Sequence, residues 1–158
     1  MPTAPRHLPL LERPDEARLR AWVQLARVFY RVQRRIVLAL GRHDVTLPQF
    51  DVLATLRFSE GVTQQELAER LLVTKGNVCG VLDRLEALGW VERRPDPEDR
   101  RANRLHLTAA GRKKVEALLP AHDSLVVKIF RGLSDAGVKS MRKLLEELEG
   151  SIDGSAEG

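Results

Sequence analysis

Between residues 15 and 40 the apolar side chains Leu19, Trp22, Ala26, Phe29, Ile36 and Leu40 recur at steps of three and four. That period predicts a helix. Val23, Leu25, Val28, Val32 and Val37 widen its apolar face beyond what one core contact needs. A helix apolar on more than one side calls for a second partner, such as another subunit. Asp15, after Pro14, is placed to cap its start, and Gly41 to end it.

Two capping boxes follow. Thr46 with Gln49 opens a helix through about Phe58, and Thr63 with Glu66 opens a short one through Leu72. Thr74 then reads as the N-cap of a helix that runs to Leu88 and stops at Gly89. Leu67, Leu71, Val73, Val78, Leu82 and Leu85 supply contacts between the last two helices, and Ala68 leaves room for close packing. Helix, short turn, helix is the pattern of a helix-turn-helix.

The period then changes from helical to alternating. "WVERR" reads as one strand. "RANRLHLT" reads as a second, with Leu105 and Leu107 on one face and Arg104 and His106 on the other. The loop between them spans Pro95 to Arg101, and a hairpin directly after such a helix is a wing. Beyond Ala109 helix returns, apolar at Val115, Leu118, Leu119, Leu125, Val126, Ile129, Phe130 and Leu133. Pro120 lies inside it and predicts a kink or a local break. Ser134 caps a last helix with Val138, Met141, Leu144, Leu145 and Leu148 on one stripe, and "GSIDGSAEG" reads as a polar, frayed end.

The fold class expected is mainly α with a small β-hairpin wing: a winged helix-turn-helix flanked by N- and C-terminal dimerisation helices. The expected divisions are a flexible arm (1–14), a dimerisation helix (15–41), the winged helix-turn-helix (45–108), C-terminal dimerisation helices (109–150) and a disordered tail (151–158).

Composition narrows the functional classes. The chain is 43% hydrophobic and 30% charged, ordinary for a folded domain, so the charge distribution is more informative than its amount. The net charge is +4. Residues 1–41 carry eight arginines against three acids, and residues 91–114 carry eight basic residues against four acids. Residues 135–158 reverse the balance, with three basic residues and six acids. Positive charge therefore sits near the start and in the middle, which suits either a polyanionic partner or a solvated surface. The one cysteine, Cys79, excludes a disulfide framework and any multi-cysteine zinc site. No signal peptide and no membrane-length apolar run is visible, so a cytoplasmic chain with no membrane partner is expected. His7, His43, His106 and His122 are scattered, and none has a partner at metal-ligand spacing. No nucleophile–base set and no phosphate loop is present. The expectation is a chain that is not an enzyme and needs no metal or cofactor.

The segment "LAERLLVTKGNVCGVLDRLEALGWVERRPDPEDRRANRLHLTAAG", residues 67–111, joins four elements in a specific order. They are the helix-turn-helix, a D-R-L-E-x-x-G-x-V helix exit, a D-x-x-D-R-R wing and an L-T-x-x-G entry to the next helix. In these the chain resembles the MarR family of winged-helix transcriptional regulators, over about Leu19 to Leu148. The resemblance implies a homodimer held by the first and last two helices. It also implies a winged helix on each subunit and binding to a pseudo-palindromic site on double-stranded DNA, most often as a repressor.

Candidate DNA-contacting residues follow from the resemblance and from chemistry. Arg100 and Arg101 stand at the wing tip, where a guanidinium suits a narrow minor groove. The family pattern implies that Asp99 positions Arg101. Arg93, Arg94 and Arg104 are expected at phosphates, although Arg94 could equally pair with Glu92 or Asp96. On the recognition helix, Val78, Leu82 and Leu85 face inward, so Gly76, Gly80, Asp83 and Ala87 face outward, with Asn77, Cys79 and Arg84 on the flanks. Two outward glycines leave little side chain for base reading. Either the helix backbone approaches the groove closely, or sequence choice rests on Thr74, Lys75 and Asn77 with shape readout by the wing. Asn77 can pair bidentately with adenine, and Lys75 can take a guanine edge or a phosphate. Cys79 reads as a small residue filling a helix flank.

Family members often bind a small anionic or phenolic effector in a cleft between dimer helices and winged helix. Candidates here are Trp22, Tyr30, His43, Phe50 and Asp51. Asp51 is a carboxylate inside the apolar run "FDVLATL". A urate-responsive branch has an acid there and an arginine matching Arg93, but it also has an arginine where this chain has Gly80, so urate is not expected. A different reading is a winged helix used for protein–protein contact. Salt separates the two, because phosphate contacts make affinity fall steeply with ionic strength.

Overall fold

The computed structural model describes residues 17–99 and 102–154. Its elements, in chain order, are α1 (Ala17–Gly41), α2 (Leu47–Phe58), β1 (Val62–Thr63), α3 (Gln64–Arg70), α4 (Lys75–Ala87), β2 (Val91–Pro95), β3 (Asn103–Leu107), α5 (Ala109–Phe130) and α6 (Asp135–Gly154). One compact unit runs to His122 and a second begins at Asp123.

The helix starts are chemical. At α2 the Thr46 N–H donates to Gln49 Oε1 (2.9 Å) and the Gln49 N–H to Thr46 Oγ1 (3.4 Å). At α3 the Thr63 N–H donates to Glu66 Oε2 (2.6 Å) and the Glu66 N–H to Thr63 Oγ1 (3.2 Å). At α4 the Asn77 N–H donates to Thr74 Oγ1 (3.3 Å). Each cap satisfies amide donors that a helix start leaves unpaired. The Asp15 cap expected for α1 lies outside the described residues.

The core of the first unit is aliphatic. Leu53 and Leu56 of α2, Leu67 of α3, Val78, Leu82 and Leu85 of α4, Leu105 of β3 and Val115 of α5 form one buried cluster. Leu40, Val45, Phe50 and Leu118 form a smaller one that seats the end of α1. Burying one such leucine is worth about 2 kcal/mol, so the helix-turn-helix is held by packing more than by helix propensity.

The sheet has three antiparallel strands in the order β1–β3–β2. The two-stranded hairpin expected from the sequence is there, with Val91 opposite Leu107 and Arg94 opposite Arg104. The short strand β1 was not expected. It adds Val62 opposite Leu105, which attaches the residues that begin α3 to the wing. Pro95 belongs to β2 rather than to the loop.

The junction after the recognition helix is tight. Gly89 adopts a left-handed φ of +69°. The Thr108 hydroxyl donates to the Gly89 carbonyl (2.6 Å) and accepts the Gly111 N–H (3.0 Å). A Cβ on Gly111 would lie 1.9 Å from the Trp90 carbonyl oxygen, so no larger residue fits.

Two expectations need correction. Of the kink or local break expected at Pro120, the break does not occur, and α5 continues to Phe130. Proline removes one amide donor, to the carbonyl of Glu116, and both residues are exposed, so that carbonyl is open to water. The last helix does not stop at residue 150. α6 runs through Gly154, and the Ser151 hydroxyl bonds back to the Glu147 carbonyl (2.9 Å). Within the second unit, the Ser134 oxygen caps α6 by accepting the Gly137 N–H (3.2 Å). Arg142 and Glu146 pair at 2.7 Å along α6.

Candidate nucleic-acid interface

The first turn of α4 carries no acid, so its backbone N–H groups and helix dipole present positive potential. Thr74, Lys75, Gly76, Asn77, Gly80 and Arg84 are all exposed, while Val78, Leu82 and Leu85 on the opposite side are buried. A Cβ added at Gly76 or Gly80 would meet no atom within 4 Å. At these two positions the outward side of α4 is therefore bare backbone with open space in front of it. The Gln64 side chain donates to the Lys75 carbonyl (3.3 Å), which ties the start of α3 to the start of α4.

Beside this helix start lies a recess of about 330 Å3 whose lining includes Thr63, Gln64, Lys75, Arg93, Asp99 and Asn103. It joins the beginnings of α3 and α4 to the root of the wing. Polar donors from β1, α3, α4, β2 and β3 converge there.

The wing arginines expected at phosphates each have a carboxylate partner within the protein. Arg93 donates through Nη2 to Asp83 (2.8 Å) and through Nη1 to Glu86, and its own N–H also reaches Glu86 (3.2 Å). Its side chain is 22% exposed. The strand alternation explains this. Arg93 stands opposite the buried Leu105 and shares a face with the buried Val91, so it projects toward α4 rather than outward. Arg94 pairs with Glu92, Nε to Oε1 at 2.9 Å, one of the alternatives the sequence left open. Arg104 donates through Nε to Asp96 (2.6 Å) and through Nη1 to the Gly61 carbonyl (2.9 Å).

Asp96, which the sequence offered only as a possible partner of Arg94, pairs instead with Arg104 and organises the base of the wing loop. It is buried and accepts the N–H groups of Glu98 (2.8 Å) and Asp99 (3.3 Å) as well as the Arg104 guanidinium. The Glu98 N–H, followed by the Asp99 N–H and Arg104, holds its carboxyl below the usual carboxylate range against the opposing effect of burial. The Asp99 carbonyl accepts the Ala102 N–H (2.9 Å), which closes the loop. Arg100 and Arg101, the expected wing tip, lie outside the described residues. Cys79 is half-buried on the flank of α4, with its sulfur 3.9 Å from Asp83.

The five effector candidates are not gathered into one cleft. Trp22 and Tyr30 are exposed on α1. His43 is exposed, and its carbonyl accepts from Lys114 (3.0 Å). Phe50 is core, with its ring 4.7 Å from that of His122. Asp51 lines a second recess, between α2 and α4, that none of the other four lines. Asp51 and Arg93 also open onto different recesses.

The MarR family model matches residues 43–102, the segment that holds this interface. An uncharacterised HTH-type transcriptional regulator of Bacillus subtilis, YkoM, is 33% identical over 109 residues, covering 69% of this chain and 71% of that protein. The chain belongs to the MarR family. A crystal structure of a mutant of MarR from E. coli complexed with operator DNA superposes with a TM-score of 0.72. It is 30% identical, with 81% of this chain and 95% of that one covered. A structure of BpsR from Bordetella bronchiseptica, whose DNA binding is regulated by 6-hydroxynicotinic acid, superposes with a TM-score of 0.68. It is 27% identical, with 80% and 98% covered. As a MarR-family member the chain is a winged-helix DNA-binding transcription regulator and not an enzyme. No described helix is long and apolar enough to cross a membrane.

Proposed function

We propose that the chain is a homodimeric, cytoplasmic repressor that binds a pseudo-palindromic operator and is released by a small molecule. The observation that carries the DNA reading is the bare, acid-free start of α4 beside the wing root. α4 enters the major groove with its backbone close to the base edges, and Thr74, Lys75, Asn77 and Arg84 reach bases and phosphates from its rim. Arg100 and Arg101 supply the guanidinium contacts to the adjacent minor groove in this reading. The exposed apolar side chains Trp22, Val28 and Phe29 of α1 support a partner subunit, as do Leu144, Leu148 and Ile152 of α6. The effector-regulated relative BpsR supports control by a small molecule.

The test is fluorescence anisotropy on the DNA upstream of the protein's own gene and on a scrambled duplex, across a salt series. Nanomolar binding that prefers the native DNA and weakens steeply with salt is expected. Equal, weak binding to both duplexes would overturn the specific-regulator reading, and no binding at low salt would favour a protein-interaction module.

A further inference from the structure

The turn of the helix-turn-helix closes one end of a recess of about 330 Å3. Asp51 and Val52 of α2 form one wall, Leu71 and Val73 of the turn another, and Asn77 and Val81 of α4 a third. The volume is at the small end of ligand cavities, enough for a single ring with a short substituent. The lining is mainly apolar. Its polar groups are the Asp51 carboxylate and the Asn77 amide, and no lysine, arginine or histidine lines it.

A carboxylate in such a wall is poorly compensated. Among the described residues none donates a hydrogen bond to the Asp51 side chain. Burial pushes its carboxyl up, and only the charge of His122 opposes this. A second anion in the recess would face that carboxylate and be repelled. A cation would add a second counter-charge to that of His122, and its apolar body would cover Val52, Leu71, Val73 and Val81.

We infer that this recess binds a small organic cation, an ammonium on a compact aromatic or branched aliphatic body, with Asp51 as counter-ion and Asn77 as second polar contact. The inference rests on the proposed ligand-responsive reading and departs from the anionic effector that the family resemblance implied. It also provides a route to DNA. Asn77 belongs both to the recess and to the exposed start of α4, so an amide turned inward to a ligand is withdrawn from the groove. Leu71 and Val73 flank Leu72, whose left-handed φ of 53° makes the turn a strained segment beside the ligand.

The experiment uses the full chain without DNA and three probes of similar size: benzylammonium, benzyl alcohol and benzoate. Calorimetric titration at neutral pH should show saturable binding of benzylammonium, about tenfold or more tighter than benzoate. Asp51→Asn should remove that preference, and Val81→Phe, which fills the recess, should weaken benzylammonium while thermal unfolding stays cooperative. Tighter binding of benzoate, a preference that survives Asp51→Asn, or no binding of any probe at millimolar concentration would overturn the assignment. Anisotropy with operator DNA then separates the two readings. Release by benzylammonium supports the coupling. Binding without release sinks the coupling and leaves the recess chemistry standing, and failure of the protein to bind DNA at all refutes the regulator reading independently.

Discussion

Arg93 of β2 grips Asp83 of α4 at 2.8 Å, and the same guanidinium also holds Glu86 one turn further on. Asp83 is on the outward side of the recognition helix, where an unscreened carboxylate would repel phosphate. Arg93 fixes the wing root to α4, and in the proposed complex it would serve DNA binding by masking these two acids. Arg93→Ala is expected to weaken binding to every duplex, and Asp83→Asn in the same background to recover part of the loss. The coupling should be about 1 kcal/mol in a double-mutant cycle, given the partial exposure of the pair. Recovery of nothing would mean that Arg93 touches phosphate directly.

Arg101→Ala should lower affinity for specific and scrambled DNA alike and reduce the salt slope by about one. Anisotropy titrations at several salt concentrations measure both. An unchanged slope would show that the wing tip does not reach the duplex.

Gly80 separates stability from recognition. A Cβ there meets nothing in the free protein, so Gly80→Ala should raise helix stability by about 1 kcal/mol in thermal unfolding. If the α4 backbone approaches the groove as proposed, the same substitution should weaken operator binding. A variant that is both more stable and equally tight would place the glycine away from DNA.

The wing base should respond to acid. Because the folded-state carboxyl of Asp96 is held below its ordinary value of 3.8, the stability it contributes is fully present above that pH. It is lost as pH falls from there through the folded value. The melting temperature of the native chain should therefore fall more steeply below about pH 4 than that of Asp96→Asn, and the two profiles should run parallel at neutral pH. Parallel curves throughout would show that Asp96 carries no pH-linked stability.

Gly111→Ala puts a methyl against the Trp90 carbonyl and has nowhere to go. A loss of about 3 kcal/mol or more is expected in chemical denaturation, because backbone must move. Gly76→Ala, with open space around it, serves as the control.

What could be read from the sequence was local. The hydroxyl at each N-cap and the Gln or Glu three residues later act within one turn, so the starts of α2, α3 and α4 appeared at their observed places. What could not be read depends on partners far along the chain. β1 is two residues that also cap α3, and only its pairing with Leu105 and Arg104 makes it a strand. Arg93 stands in a basic segment, which points to phosphate, while the alternation Val91, Arg93 points to the α4 side of the sheet, where the guanidinium lies. Asp96 looked like one more loop acid, since the amides and the guanidinium that hold it come together only when the hairpin forms. Pro120 leaves α5 unbroken because the carbonyl that loses its donor belongs to an exposed residue.

The strand order β1–β3–β2 has a mechanical consequence. β3 is hydrogen-bonded on one side to the residues that launch α3 and on the other to those that leave α4. Wing and recognition helix thus share one frame, with Arg93 and Thr108 as cross-braces. Such a frame acts as a calliper of set span. In the proposed complex, a duplex whose neighbouring grooves do not match that span would have to twist or bend to be gripped, so the elastic penalty would fall on the nucleic acid and vary with the stiffness of base steps that no side chain touches.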